Sequence, residues 1–213
     1  MRSGGVRIKH LVAIHRNYPH PWPISMLQCT RNDLALSLAK QGRYTEAEQE
    51  FRSTLSIMDR VLGPDNPDTL GCRVNLASTL DDEKKYAEAE SEFRLALPIV
   101  DRVLGTENPD RLLGRMTFAV CLAEEGKHRE AEQEFRSTLS IMDRVLGPDN
   151  PDTLTCRINL ASTLDDEKKY AEAESELRSI LPIIDRVLGT GHPNAVHAHH
   201  LFLEVLADEG KYP

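Results

Sequence analysis

Ala47, Phe51, Leu55, Met58 and Leu62 recur at steps of four, four, three and four, the spacing that lays one apolar stripe along an α-helix. Ala89-Phe93-Leu97-Val100-Leu104 and Ala173-Leu177-Leu181-Ile184-Leu188 repeat it, with mostly polar residues between. Each stretch runs out at a glycine (Gly63, Gly105, Gly147 or Gly189), a residue free to take the left-handed conformation that closes a helix. An Asn-Pro-Asp triplet follows at 66–68, 108–110 and 150–152. It predicts a new helix with asparagine as N-cap, proline at the first helical position and aspartate facing the positive end of the dipole. That helix carries Cys72, Leu76 and Leu80 on one face, with Ala77 small enough to let a neighbour approach. Short turns ("QGRY", "EKKY", "EGKH", "EGKY") join it to the next striped helix. Pro98 and Pro182 fall inside the striped helix of alternate units and are expected to bend it.

The two-helix pattern has a fixed period. "DRVLG" occurs at Asp59, Asp101, Asp143 and Asp185, each 42 residues beyond the last, and such a period marks a stack of supersecondary units. A longer identity lies over it. Glu46–Leu70 is repeated letter for letter at Glu130–Leu154, and from Glu46 to Glu92 the two blocks differ only at Gly71/Thr155 and Val74/Ile158. A two-unit block has been duplicated.

Composition agrees with helix and narrows the chemistry. Of 213 residues 40% are apolar, 5% aromatic and 28% charged, with a net charge of −8. That balance repels nucleic acid and anionic lipid, so no nucleic-acid partner is expected. The charge is uneven: before Asp33 there is no acidic residue, while Arg2, Arg7, Lys9, Arg16 and Arg31 are basic. Cys29, Cys72, Cys121 and Cys156 form no CxxC pair, so a reduced, cytoplasmic protein is the expectation. No apolar run is long enough to span a bilayer.

"NLASTLDDEKKYAEAESEFRLALPIVDRVLGTENPD" follows the tetratricopeptide pattern, with Leu76 and Ala77 in the first helix, Tyr86 at the turn, and Ala89 and Phe93 in the second. The 42-residue unit, with the linker seen in "VLGTGHPNAV" at 187–196, resembles the kinesin light chain type of tetratricopeptide repeat. The small size is similar to that of the bacterial kinesin light chain encoded beside bacterial tubulins. The heptad-rich coiled coil of the eukaryotic motor subunit is absent, and Lys84 and Lys168 replace the turn glycine in alternate units. The resemblance implies an all-α, right-handed superhelical solenoid of about four full repeats plus terminal half-repeats. The repeats fall at about 25–66, 67–108, 109–150 and 151–192, with a partial one at 193–213.

It also implies a non-enzymatic adaptor that binds a protein partner, a peptide or a filament subunit such as bacterial tubulin, on the concave side lined by the first helices. By position that face includes Asn32, Asp33, Asn75, Met116, Thr117, Asn159 and His200. Asn75 and Asn159 match the family's "NLA" asparagine, which can bond a peptide backbone, while Asp33, Thr117 and Leu201 depart from it. A mid-helix asparagine that merely bonds water is the other reading. Arg31, Arg73, Arg115, Arg157 and His199 form a ladder, one per unit. It is either a docking strip for a carboxylate-rich segment or a set of clamps to acidic residues of neighbouring units. The Asp-Arg pairs from Asp59-Arg60 to Asp185-Arg186 read as solvated or inter-unit charges.

Residues 1–24 read as a separate basic segment. Val6, Ile8, Leu11, Val12 and Ile14 predict a short amphipathic helix, followed by "YPHPWP" with Trp22. It either caps the array or, through Arg2, Arg7, Lys9, Arg16 and Trp22, contacts an anionic surface, a membrane or an acidic tail. At the other end Ala195–Glu209 reads as a first helix without its mate, which implies head-to-tail self-association or a truncated end. A ligand-sensing array of a larger signalling protein is the alternative adaptor reading. Catalysis and metal binding form a third class. No phosphate loop, nucleophile elbow or HExxH is present, and the Asp-Asp-Glu runs at 81–83 and 165–167 read as solvated helix ends. His197, His199 and His200 lack an acidic or cysteine ligand at zinc spacing. No catalytic residue, metal or cofactor is therefore expected.

Overall fold

The structure, a computed structural model, describes residues 24–210. The basic segment expected to cap the array, with Arg2, Arg7, Lys9, Arg16 and Trp22, lies outside the described residues. Nine helices and no strand occur among them: α1 (Ile24–Ala39), α2 (Tyr44–Val61), α3 (Pro67–Asp82), α4 (Tyr86–Leu104), α5 (Pro109–Glu124), α6 (His128–Val145), α7 (Pro151–Asp166), α8 (Tyr170–Val187) and α9 (Pro193–Asp208). None is long and apolar enough to cross a membrane.

The ends of these helices follow from local chemistry. Asn66, Asn108 and Asn150 each accept a hydrogen bond from the backbone N–H two residues on, at 2.8–2.9 Å. His192 Nδ1 takes the same place before α9 at 3.2 Å. Gly63 and its three equivalents close the even-numbered helices with φ between 81° and 92°. In the shorter turns Gly42, Gly126 and Gly210 hold φ of 73–86°, and Lys84 and Lys168 hold 61° and 62°. Helices α4 and α8 continue through Pro98 and Pro182.

Consecutive helices pack as antiparallel neighbours, and each odd-numbered helix also touches the next odd-numbered one. The even-numbered helices make no such backbone approach. Rods held closer on one side than on the other must curve, with α1, α3, α5, α7 and α9 on the inner side. The fold is an all-α solenoid. Its core is one continuous cluster from Ala35 to Val205, built on the predicted stripes. Phe51, Phe93 and Phe135 are fully buried at the centre of successive units, with Leu177 in the same slot of the fourth. On α9, Val196 and Leu203 are 56% and 51% exposed, although their equivalents on α7, Leu154 and Ala161, are fully buried.

Candidate functional site: a groove on the inner face

The first three odd-numbered helices enclose a groove of about 510 Å³, within the roughly 300–1,000 Å³ of ordinary ligand clefts. Its floor is apolar: Met58, Leu70, Val74, Val100, Leu104 and Leu113. Asn32, Asp33, Asn75, Ser78 and Thr117 supply polar groups from α1, α3 and α5, and Asp68 and Asp110 stand at the first turns of α3 and α5. Asn75 Nδ2 donates to Asn32 Oδ1 at 3.4 Å, so the two amides already face each other. The Thr117 hydroxyl instead donates back to its own helix, at Leu113 O, 2.9 Å away.

Four of the sequence-predicted face residues thus meet in one groove: Asn32, Asp33, Asn75 and Thr117. Asn159 is half-buried on α7 and His200 exposed on α9, both outside it. His200 Nδ1 lies 3.3 Å from Glu204 Oε1, one turn along its own helix.

The arginine ladder lies off the groove, engaged with carboxylates on the flanking even-numbered helices. Arg31 Nη2 donates to Glu50 at 2.9 Å. Arg73 reaches Asp59 on α2 and Glu92 on α4, both at 3.1 Å. Arg115 bonds Asp101 on α4 and Glu134 on α6, the latter at 3.0 Å. Arg157 bonds Asp143 on α6 and Glu176 on α8, at 2.8 and 2.5 Å. His199 Nε2 completes the row 3.0 Å from Asp185. Each of the three middle arginines therefore links its own hairpin to the one before. Burial pulls the Asp101 carboxyl upward, but hydrogen bonds from Arg115 and Arg111 outweigh it and hold the carboxyl below the usual range.

A second charge lattice ties the even-numbered helices together across the wider outer side. Arg52, Arg94 and Arg136 each bond a glutamate on their own helix and one on the next even-numbered helix: Glu88, Glu130 and Glu172, at 2.7–2.9 Å. Lys85, Lys127 and Lys169 reach back to Glu48, Glu90 and Glu132 at 2.7–2.8 Å. Those ammonium groups hold the three glutamates below the usual carboxylate range against the opposing effect of burial. Cys72, Cys121 and Cys156 are free and buried, and burial pushes the Cys72 and Cys156 thiols up to about 12.

Sequence reasoning missed Gly71, Val74 and Asp68 as lining residues, and also Asp110, Leu113 and Gly114. Gly71 and Val74 carried a signal nevertheless, as the two positions at which the duplicated blocks part between Glu46 and Glu92.

The family model described as tetratricopeptide repeat matches residues 26–102, 73–142 and 110–183. Among solved structures the chain is similar to a Podosopora anserina protein assigned as a kinesin light chain with nearly identical TPR-like repeats, at 21% identity and a TM-score of 0.79, covering 91% of both chains. It is similar to BtubC (BKLC) from P. vanneervenii at 20% identity and a TM-score of 0.76, over 89% of this chain and 75% of that one. Bacillus thuringiensis PlcR, in complex with the peptide PapR7 and DNA, matches at 17% identity and a TM-score of 0.66, over 94% of this chain and 69% of that one. No match is found among curated proteins.

Proposed function

Because the chain belongs to the tetratricopeptide repeat family, a family of protein-interaction scaffolds, we propose that it is a cytoplasmic adaptor whose partner is a repeating filament subunit of the bacterial tubulin kind. The carrying observation is the regular outer side: the same Arg-Glu-Lys arrangement recurs three times among the described residues, at a step of 42 residues. A partner that is itself periodic meets such a surface at several points at once, and weak contacts then multiply. The likeness to BtubC supports this reading at the level of fold. Co-sedimentation with assembled bacterial tubulin tests it. Pelleting that weakens as salt rises is expected; no pelleting at low salt rejects it.

A second reading, peptide sensing, is favoured by the inner groove together with the likeness to PlcR in its peptide-bound form. The two readings use opposite sides of the stack and do not exclude each other.

A further inference from the structure

Two observations meet at the groove. The duplicated blocks are identical from Glu46 to Glu92 except at Gly71/Thr155 and Val74/Ile158, and both Gly71 and Val74 line the groove. In each pair the first block carries the smaller side chain. A Cβ at Gly71 would meet nothing within 4 Å, so a threonine there projects into the open space and not into the core. In the second block Thr155 is engaged locally: its hydroxyl donates to Pro151 O at 2.9 Å and accepts from Asn194 Nδ2 at 2.9 Å. Ile158 is buried. Between Glu46 and Glu92 the duplication kept every other residue, and the two departures in that stretch both widen one cleft.

The lining also has a definite charge. Asp33, Asp68 and Asp110 contribute carboxylates, and no lysine, arginine or histidine is among the described residues that line the groove. The ladder guanidiniums adjoining the lining residues in sequence, Arg31, Arg73 and Arg115, are bonded to Glu50, Asp59, Glu92, Asp101 and Glu134, so their charges do not offset the three aspartates. An apolar floor under an unbalanced acidic rim selects a ligand with the complementary pattern.

We infer that this groove binds an extended peptide segment of a partner protein in which an apolar side chain is flanked by lysine or arginine. The apolar group fills the space left by Gly71 and Val74, its cations meet Asp33, Asp68 and Asp110, and the Asn32–Asn75 amides bond its backbone. The inference rests on the interaction-scaffold reading and narrows its peptide-sensing form to one site and one ligand chemistry. It also runs against the carboxylate-rich ligand that the arginine ladder suggested from sequence.

The test exposes the full chain to an immobilised library of random octapeptides and measures the affinity of the peptides retained. Enrichment of apolar residues beside lysine or arginine is expected. The double variant Gly71→Thr/Val74→Ile should then weaken binding at least about tenfold, as loss of an anchor pocket does. This variant copies the second block, whose fold already accommodates both residues, and an unchanged circular dichroism spectrum confirms that it folds. Thr155→Gly/Ile158→Val should leave affinity unchanged, and Asp68→Asn/Asp110→Asn, which leaves only Asp33, should weaken the preference for cations. Retention of acidic peptides, equal binding by the Gly71→Thr/Val74→Ile variant, or no retention at all overturns the inference. None of these results touches the filament reading, which stands or falls on the pelleting assay.

Discussion

Arg73 Nη2 lies 3.1 Å from Asp59 Oδ2, a contact between the first helix of one hairpin and the second helix of the hairpin before it. The same guanidinium holds Glu92 on its own hairpin, and its side chain is 19% exposed. Removing it leaves two carboxylates without their partner, one of them equally sheltered.

Arg73→Ala is therefore expected to destabilise the fold by about 2 kcal/mol, the scale of hydrogen bonds to charged groups. Arg102→Ala removes a pair with Asp65 that is 66% and 58% exposed, and should change stability by less than about 0.5 kcal/mol. Urea unfolding of the two variants checks the contrast. Equal midpoints would mean that the ladder does not join the hairpins.

Much of this architecture was legible in the sequence. The stripe Ala47-Phe51-Leu55-Met58 is buried as its spacing predicts, and Asn66, Asn108 and Asn150 cap the helices they precede. Apolar periodicity and capping are local properties, readable over a few turns of chain. Arg52 bonding Glu88, 36 residues on, is not local. It depends on the offset between successive even-numbered helices, which no window of sequence contains. The groove was half legible: Asn75 and Asp33, expected on the inner face, line it, while Asp68 and Asp110 read only as helix-start residues. A capping role and a rim position are compatible, and only the spacing between α3 and α5 reveals the second.

Lys84 and Lys168 stand in left-handed backbone, φ 61° and 62°, where the sister turns use Gly42, Gly126 and Gly210. An L-residue there carries a steric cost of roughly 1 kcal/mol that glycine avoids. Lys84→Gly/Lys168→Gly should accordingly raise the melting temperature, and Gly126→Lys should lower it. Differential scanning calorimetry measures both, and a lower melting temperature in the double variant would refute the assignment.

Gly114 sits inside α5, where it lines the groove and carries the entropic cost of a mid-helix glycine. A Cβ at this position would lie 3.5 Å from Leu97 Cδ2 and 3.8 Å from Val74 Cγ1, ordinary packing distances. Gly114→Ala is expected to stabilise the array by about 0.5–1 kcal/mol. A shift of the denaturation midpoint to lower urea would show that the site does not tolerate the methyl.

Asp81 on α3 is 7% exposed, and burial raises its carboxyl from 3.8 to about 6, aided by the nearby charges of Glu124 and Asp82 and opposed by a hydrogen bond with Cys121. The sign follows directly. A carboxyl whose folded value lies above its unfolded one binds its proton more tightly in the native state. Its contribution is fully present below pH 3.8 and is lost as pH rises through 6. At neutral pH the native state therefore holds a poorly solvated charge, which costs on the order of 2–3 kcal/mol at 1.36 kcal/mol per pKa unit. Asp81→Asn removes the ionisation and should stabilise the protein by that order at pH 7.5, with the advantage fading towards pH 4. Glu48, Glu90 and Glu132, held low chiefly by hydrogen bonds from Lys85, Lys127 and Lys169, act in the opposite sense at more acid pH and are common to both proteins. They cancel in the difference between the two curves. Chemical denaturation of wild type and Asp81→Asn from pH 4 to 8 tests the assignment, and a difference that stays constant across that range would remove Asp81 as its source.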